Sequence, residues 1–83
     1  MKEEIHRLSC YVENKPGVLA RIVGLISGRG YNIQTLSVGP TEDGTVSRMR
    51  IAVLGTDKVV EQIILQLRNQ VNVIEVTSRK SSK

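Results

Sequence analysis

Asn14, Lys15, Pro16 and Gly17 stand directly before Val18, Leu19, Ile22, Val23, Leu25 and Ile26, an apolar series at helical spacing. The residue types at this junction suit the capture of a small zwitterion. A helix N-terminus presents backbone N–H groups and a partial positive charge, which favour a carboxylate. Gly17 carries no side chain to keep a ligand from that backbone. Asn14 adds an amide donor and a carbonyl acceptor, and an amino acid needs both kinds of partner. By spacing alone, the commoner role of such a stretch is simply to start a helix. Asn32, in "GRGYNI" at residues 28–33, supplies a second two-way amide where the next strand opens. If that strand pairs with a second copy, Asn32 faces the helix entrance of the partner chain across a two-fold axis.

Other chemistries lack parts. No paired carboxylates converge, no nucleophile stands with a base, and Glu42-Asp43 fall in a turn, so an enzyme is not expected. The single cysteine, Cys10, cannot form an internal disulfide and sits in an apolar alternation, as a small buried hydrophobe would. Metal carriage would call for paired cysteines. His6 lies near a terminus expected to fray, with no partner at ligand spacing, and is expected to be solvated. No metal site is expected.

The elements that must position these residues follow from periodicity. Residues 5–13 alternate as a half-buried strand, Leu8, Cys10 and Val12 on one side and Arg7, Ser9 and Tyr11 on the other. A helix is predicted over 16–29, with Asn14 as cap, Pro16 in its first turn, and Gly28 and Gly30 ending it. A strand from Asn32 to Gly39 places Leu36 and Val38 on one face and Ile33, Thr35 and Ser37 on the other. "PTEDGT" is a hairpin loop. The next strand turns Met49, Ile51 and Val53 inward and Arg48 and Arg50 outward. Thr56 caps a second helix buried through Val59, Val60, Ile63, Ile64 and Leu67. A last strand runs around residues 73–77, with its facing left open.

The order β-α-β-β-α-β predicts an α+β, ferredoxin-like fold: an antiparallel sheet with both helices on one face, strands 1 and 3 central. The 83 residues allow one domain over 1–83, with a core of about 5–78 and a basic tail over 79–83. Of the net charge of +4, Arg79, Lys80 and Lys83 lie in that tail. Strand 2 is an edge with no charged gatekeeper, and Gly24, Ser27 and Gly28 make a small-residue patch on helix 1. Together they predict a homodimer through strand 2 and helix 1. "MKEEIHRLS" lacks an apolar targeting segment, and no apolar run approaches the ~20 residues of a membrane span, so a soluble, cytoplasmic protein is expected.

The segments "ENKPGVLARI", "RGYNI", "LSVGPT" and "SRMRI" together resemble the ACT domain of the small regulatory subunit of acetohydroxyacid (acetolactate) synthase. The likeness runs from about Ile5 to Ser78. The resemblance implies two ACT domains side by side in a continuous sheet. A branched-chain amino acid, typically valine, would bind between them and inhibit the large catalytic subunit by feedback. Implied ligand residues are Asn14, Gly17 and Val18 at the helix entrance and Asn32 and Ile33 on strand 2, with Pro16 and Leu19 shaping the site. Thiamine diphosphate, Mg and FAD would belong to the catalytic subunit and none to this chain. Many members continue into a second domain, whereas this sequence ends at Lys83. A free-standing ACT sensor of another enzyme fits the helix-entrance motif equally well. RNA binding on this fold uses aromatics on the central strands, and only Tyr11 stands there, so nucleic acid is not expected.

Overall fold

In β1 (Glu4–Glu13) every second side chain from His6 to Val12 is buried, while Arg7, Ser9 and Tyr11 point to the opposite face. The structure, a computed structural model, describes residues 3–27 and 30–80. β1 pairs antiparallel with β3 (Val46–Gly55) on one side and with β4 (Val73–Lys80) on the other. β2 (Asn32–Pro40) completes the sheet in the order β2-β3-β1-β4. The predicted ferredoxin-like topology is therefore the observed one, with β1 and β3 in the centre. Two helices, α1 (Val18–Ser27) and α2 (Asp57–Arg68), cover one face. Leu8, Cys10, Val12, Met49, Ile51 and Val53 of the sheet meet Ile22, Ile26, Ile63 and Leu67 of the helices in a wholly aliphatic and sulfur-containing seam. Each such side chain contributes about 1.5–3 kcal/mol by leaving water.

Local signals fix the connections. Thr56 caps α2 as expected, its Oγ1 accepting from the Val59 N–H at 3.3 Å. The β2–β3 hairpin is held by Asp43, whose Oδ1 accepts from the Thr45 hydroxyl at 2.6 Å and the Thr45 N–H at 2.9 Å. Those two donors lower the Asp43 pKa. β4 turns Val76 to the core opposite Cys10.

Three expectations need correction. α1 starts at Val18, not at residue 16, because Gly17 has φ +83, a left-handed value that no helix accommodates, and Pro16 lies in the turn before it. The predicted end of that helix, with Gly28, lies outside the described residues. In β2 the register shifts between Ile33 and Thr35, leaving Gln34 as a bulge. Ile33 thus sits opposite Val53 and packs on the core instead of sharing a face with Thr35 and Ser37. Finally, β4 runs through Arg79 and Lys80, which pair with Arg7 and His6, so these two residues belong to the ladder and not to a frayed tail.

Burial pushes the Cys10 thiol up from 9.0 to about 11. The folded value exceeds the unfolded one, so its contribution to stability is intact below pH 9 and is lost as pH rises through about 11. Denaturant titrations should show this alkaline loss in the native sequence and a smaller one in Cys10→Val. At mildly alkaline pH iodoacetamide should alkylate the folded chain at least roughly a hundredfold more slowly than the denatured chain, as the thiolate fraction dictates.

Candidate functional site

The turn between β1 and α1 is built mainly from backbone. The Asn14 N–H donates to Thr45 O at 2.8 Å, and its Nδ2 donates to Gly44 O at 3.3 Å. Asn14 therefore ties the turn to the β2–β3 hairpin and does not cap α1, which corrects its predicted role. One side-chain donor is committed, and the amide oxygen remains as an acceptor. Gly17 begins the helix through its carbonyl, which accepts from the Arg21 N–H at 3.0 Å. The Val18 N–H is taken by Lys15 O at 3.2 Å. The N–H groups of Leu19 and Ala20, next in the first turn, have no acceptor within the helix.

Around Gly17 lies open space: a Cβ built there meets nothing within 4 Å. The glycine is demanded by its backbone angle and leaves the first turn uncovered as a consequence. Val18 and Leu19 play different parts from each other. Val18 is buried in the core, whereas Leu19 is half-buried against it, with Pro16 exposed beside the turn. Asn32 is exposed at the start of β2, its Oδ1 accepting from Gln34 Nε2 at 3.1 Å. Asn14 thus bonds across to Gly44 of the β2–β3 hairpin, whereas the bond of Asn32, to Gln34, stays within its own strand.

Sequence reasoning missed a polar network beside this turn. Asn72, in the α2–β4 link, donates through Nδ2 to Glu13 Oε1 at 2.6 Å and accepts from Arg21 Nη2 of α1. Its backbone oxygen also receives the Glu13 N–H at 2.9 Å. Lys15 Nζ stands 3.8 Å from Glu13 Oε1. The network locks the end of β1 and the first turns of α1 to the opposite end of the chain. Only the bare residue types in "NQVN" hinted at it.

His6 also departs from expectation. It is 5% exposed, inside a central strand, because β1 already starts at Glu4 and pairs as far as Gly55. Its Nε2 lies 3.5 Å from Asp57 Oδ1 in the first turn of α2. Ligand atoms of Glu4, His6 and Asp57 gather within 4.8 Å, so Asp57, distant in sequence, and the neighbouring Glu4 both reach this histidine. The contact joins the start of α2 to the sheet.

The model of the AHAS small subunit-like ACT domain family matches residues 8–75. A probable acetolactate synthase small subunit of Archaeoglobus fulgidus is 54% identical over 72 residues, covering 87% of this chain and 45% of that protein. The acetolactate synthase isozyme 3 small subunit of Escherichia coli is 51% identical over 70 residues, covering 84% and 43%. Among solved structures, the acetolactate synthase small subunit of Thermotoga maritima superposes with a TM-score of 0.82 at 41% identity, over 94% of this chain and 47% of that one. The ACT domain of a Chlorobium tepidum GTP pyrophosphokinase, at 18% identity and a TM-score of 0.80, shares the fold. The chain spans less than half the length of the first two relatives.

Two substitutions test this reading of the turn and the strand. Gly17→Ala should cost about 1–2 kcal/mol by forcing a side chain into the left-handed region, although nothing crowds it. His6→Ala should cost about 1–3 kcal/mol through lost packing and the lost Asp57 contact. Chemical denaturation measures both, and a solvated His6 would leave the midpoint unmoved.

Proposed function

The chain belongs to the family of AHAS small subunit-like ACT domains, and on that premise we propose that it is the effector-sensing part of a non-catalytic, regulatory subunit of acetolactate synthase. The observation carrying this reading is the uncovered first turn of α1 at Gly17, with Asn14 anchored beside it. A branched-chain amino acid, valine first, docks its carboxylate on the N–H groups of Leu19 and Ala20. Its ammonium meets the amide oxygens of Asn14 and of Asn32 from a second copy. Pro16, Leu19 and Ile33 border its side chain, while Val18 acts through its backbone, its side chain being in the core.

The second copy joins along β2 and α1. Support comes from the edge itself: β2 carries no charged side chain, and Leu36 and Val38 remain 39% and 43% exposed on the helix side. Gly24 and Ser27 are exposed on α1, with open space over Gly24. Because both copies contribute to the site, occupancy and dimer geometry are linked, and a coupling of ~1–3 kcal/mol suffices for regulation. The catalytic subunit supplies thiamine diphosphate, Mg and FAD; this chain supplies the switch.

Calorimetric titration with valine tests the site. Asn32→Ala removes an acceptor and should weaken binding roughly tenfold or more. Gly17→Asp should abolish it, whereas Gly17→Ala, which shares the backbone strain, should retain more affinity. Equal affinity in the native sequence and Asn32→Ala would overturn the assignment, as would a chain that sediments as a monomer at high concentration with and without valine. A pull-down with the tagged chain should recover a thiamine-diphosphate enzyme; recovery of a different enzyme instead would favour a free-standing sensor.

A further inference from the structure

The open face of the sheet carries a hollow of about 360 Å³ whose walls include Arg7, Arg48, Arg50 and Arg79, together with Ser9 and Thr35. Strand register explains why it forms. Ala52 of β3 is the small side chain in the middle of this face, with Thr35 of β2 on one side and Arg7 of β1 on the other. Arg79 of β4 lies directly opposite Arg7, and Arg50 lies opposite Ser9 in the next row. Long guanidinium side chains around one alanine leave a depression with a floor near Ala52. Its volume falls within the roughly 300–1,000 Å³ of small-molecule sites.

The electrostatics of this hollow are one-sided. Its lining carries four arginines and no carboxylate. Like charges directly opposite on neighbouring strands are destabilising, and Arg7 and Arg79 form such a pair. Arg48 is held for use: its Nη2 donates to Ser9 Oγ at 3.3 Å, and its guanidinium lies over the Tyr11 ring, 5.8 Å from the centroid. Its Nε is nevertheless buried without a hydrogen-bond partner among the described residues. A buried donor left unmade costs about 1–3 kcal/mol, more if charged. Guanidinium groups match oxyanions bidentately, and each such bond is charge-assisted.

We propose that this arginine-walled hollow on the open sheet face binds a small oxyanion of two or more negative charges, of the phosphate or polycarboxylate class. It lies on the face away from α1 and the turn at Gly17, so it is a second site, independent of the amino-acid site, and does not rest on that reading. Arg7, Arg50 and Arg79 surround the anion, Arg48 donates from the floor, and the Ser9 and Thr35 hydroxyls complete the ring of donors.

The test is calorimetric titration of the whole chain at low ionic strength, with sodium pyrophosphate in one arm and citrate in the other. Saturable binding of either anion is expected, and the tighter of the two tells phosphate from carboxylate. Arg79→Gln should bind roughly tenfold more weakly, the worth of one charge-assisted contact. Its melting temperature without anion should stay level or rise, because the Arg7 repulsion is relieved. Lys58→Gln, with the same charge loss on exposed α2, should bind as the native chain does. Absence of saturable heat in both arms would overturn the proposal, as would equal weakening in Arg79→Gln and Lys58→Gln, which would reduce the effect to net charge.

Discussion

One sided burial governs this molecule. Its aliphatic core is a single seam between the inner face of the sheet and two short helices, with no Phe or Trp to widen it. A domain of 83 residues buries only roughly 60–65% of its unfolded surface, and its described elements form one sheet with helices on one face. Among the surfaces left over are the far face of the sheet and the outer edge of β2. The amino-acid sequence treats them differently. The edge is uncharged and apolar on the helix side, while the far face is lined with arginine, serine and threonine.

The seam was legible because its signals are local and periodic. Alternation in Leu8-Cys10-Val12 and Met49-Ile51-Val53, the Thr56 cap and the Asp43 turn each needed only near neighbours, and each formed as expected. What escaped depends on register or on long-range contact. The bulge at Gln34 moves Ile33 to the core face by slipping the strand one residue, and alternation alone cannot announce such a slip. His6 looked terminal in the chain but is central in the sheet, because burial depends on pairing with β3 and on α2 folding back over it. Asn14 looked like a helix cap, yet its amide was claimed by Gly44, thirty residues away.

The candidate site was legible to a different degree. Residue types at the Pro16-Gly17 junction and at Asn32 suggested amides around an exposed helix turn; Asn14 is exposed at that turn and Asn32 is exposed at the start of β2. Their division of labour was not readable. Gly17 is required first by its backbone angle, and its openness follows from that requirement. Glu13, Arg21 and Asn72 then brace the turn from outside with hydrogen bonds, a partnership invisible until the α2–β4 link folds against β1. A braced, uncovered turn suits the ligand capture proposed for it, since less conformational freedom remains to be lost on binding.

Edge and face also constrain one another. Extension of the sheet through β2 adds strands laterally and covers neither face, so a second copy would leave the arginine-walled hollow open. The ladder, however, decides what that hollow contains. Were Arg79 part of a loose tail, it could swing away from Arg7 and the repulsion would vanish at little cost. Pairing of β4 through Lys80 fixes Arg79 opposite Arg7, and the same pairing turns its side chain toward Ala52 and Arg50. The sheet thereby holds cations together that would separate in solution. Persistent crowding of like charge around an alanine floor is compensated most directly by an anion, because no carboxylate lines the hollow and Glu75, on the same face of β4, lies opposite Tyr11, two rows from Arg7.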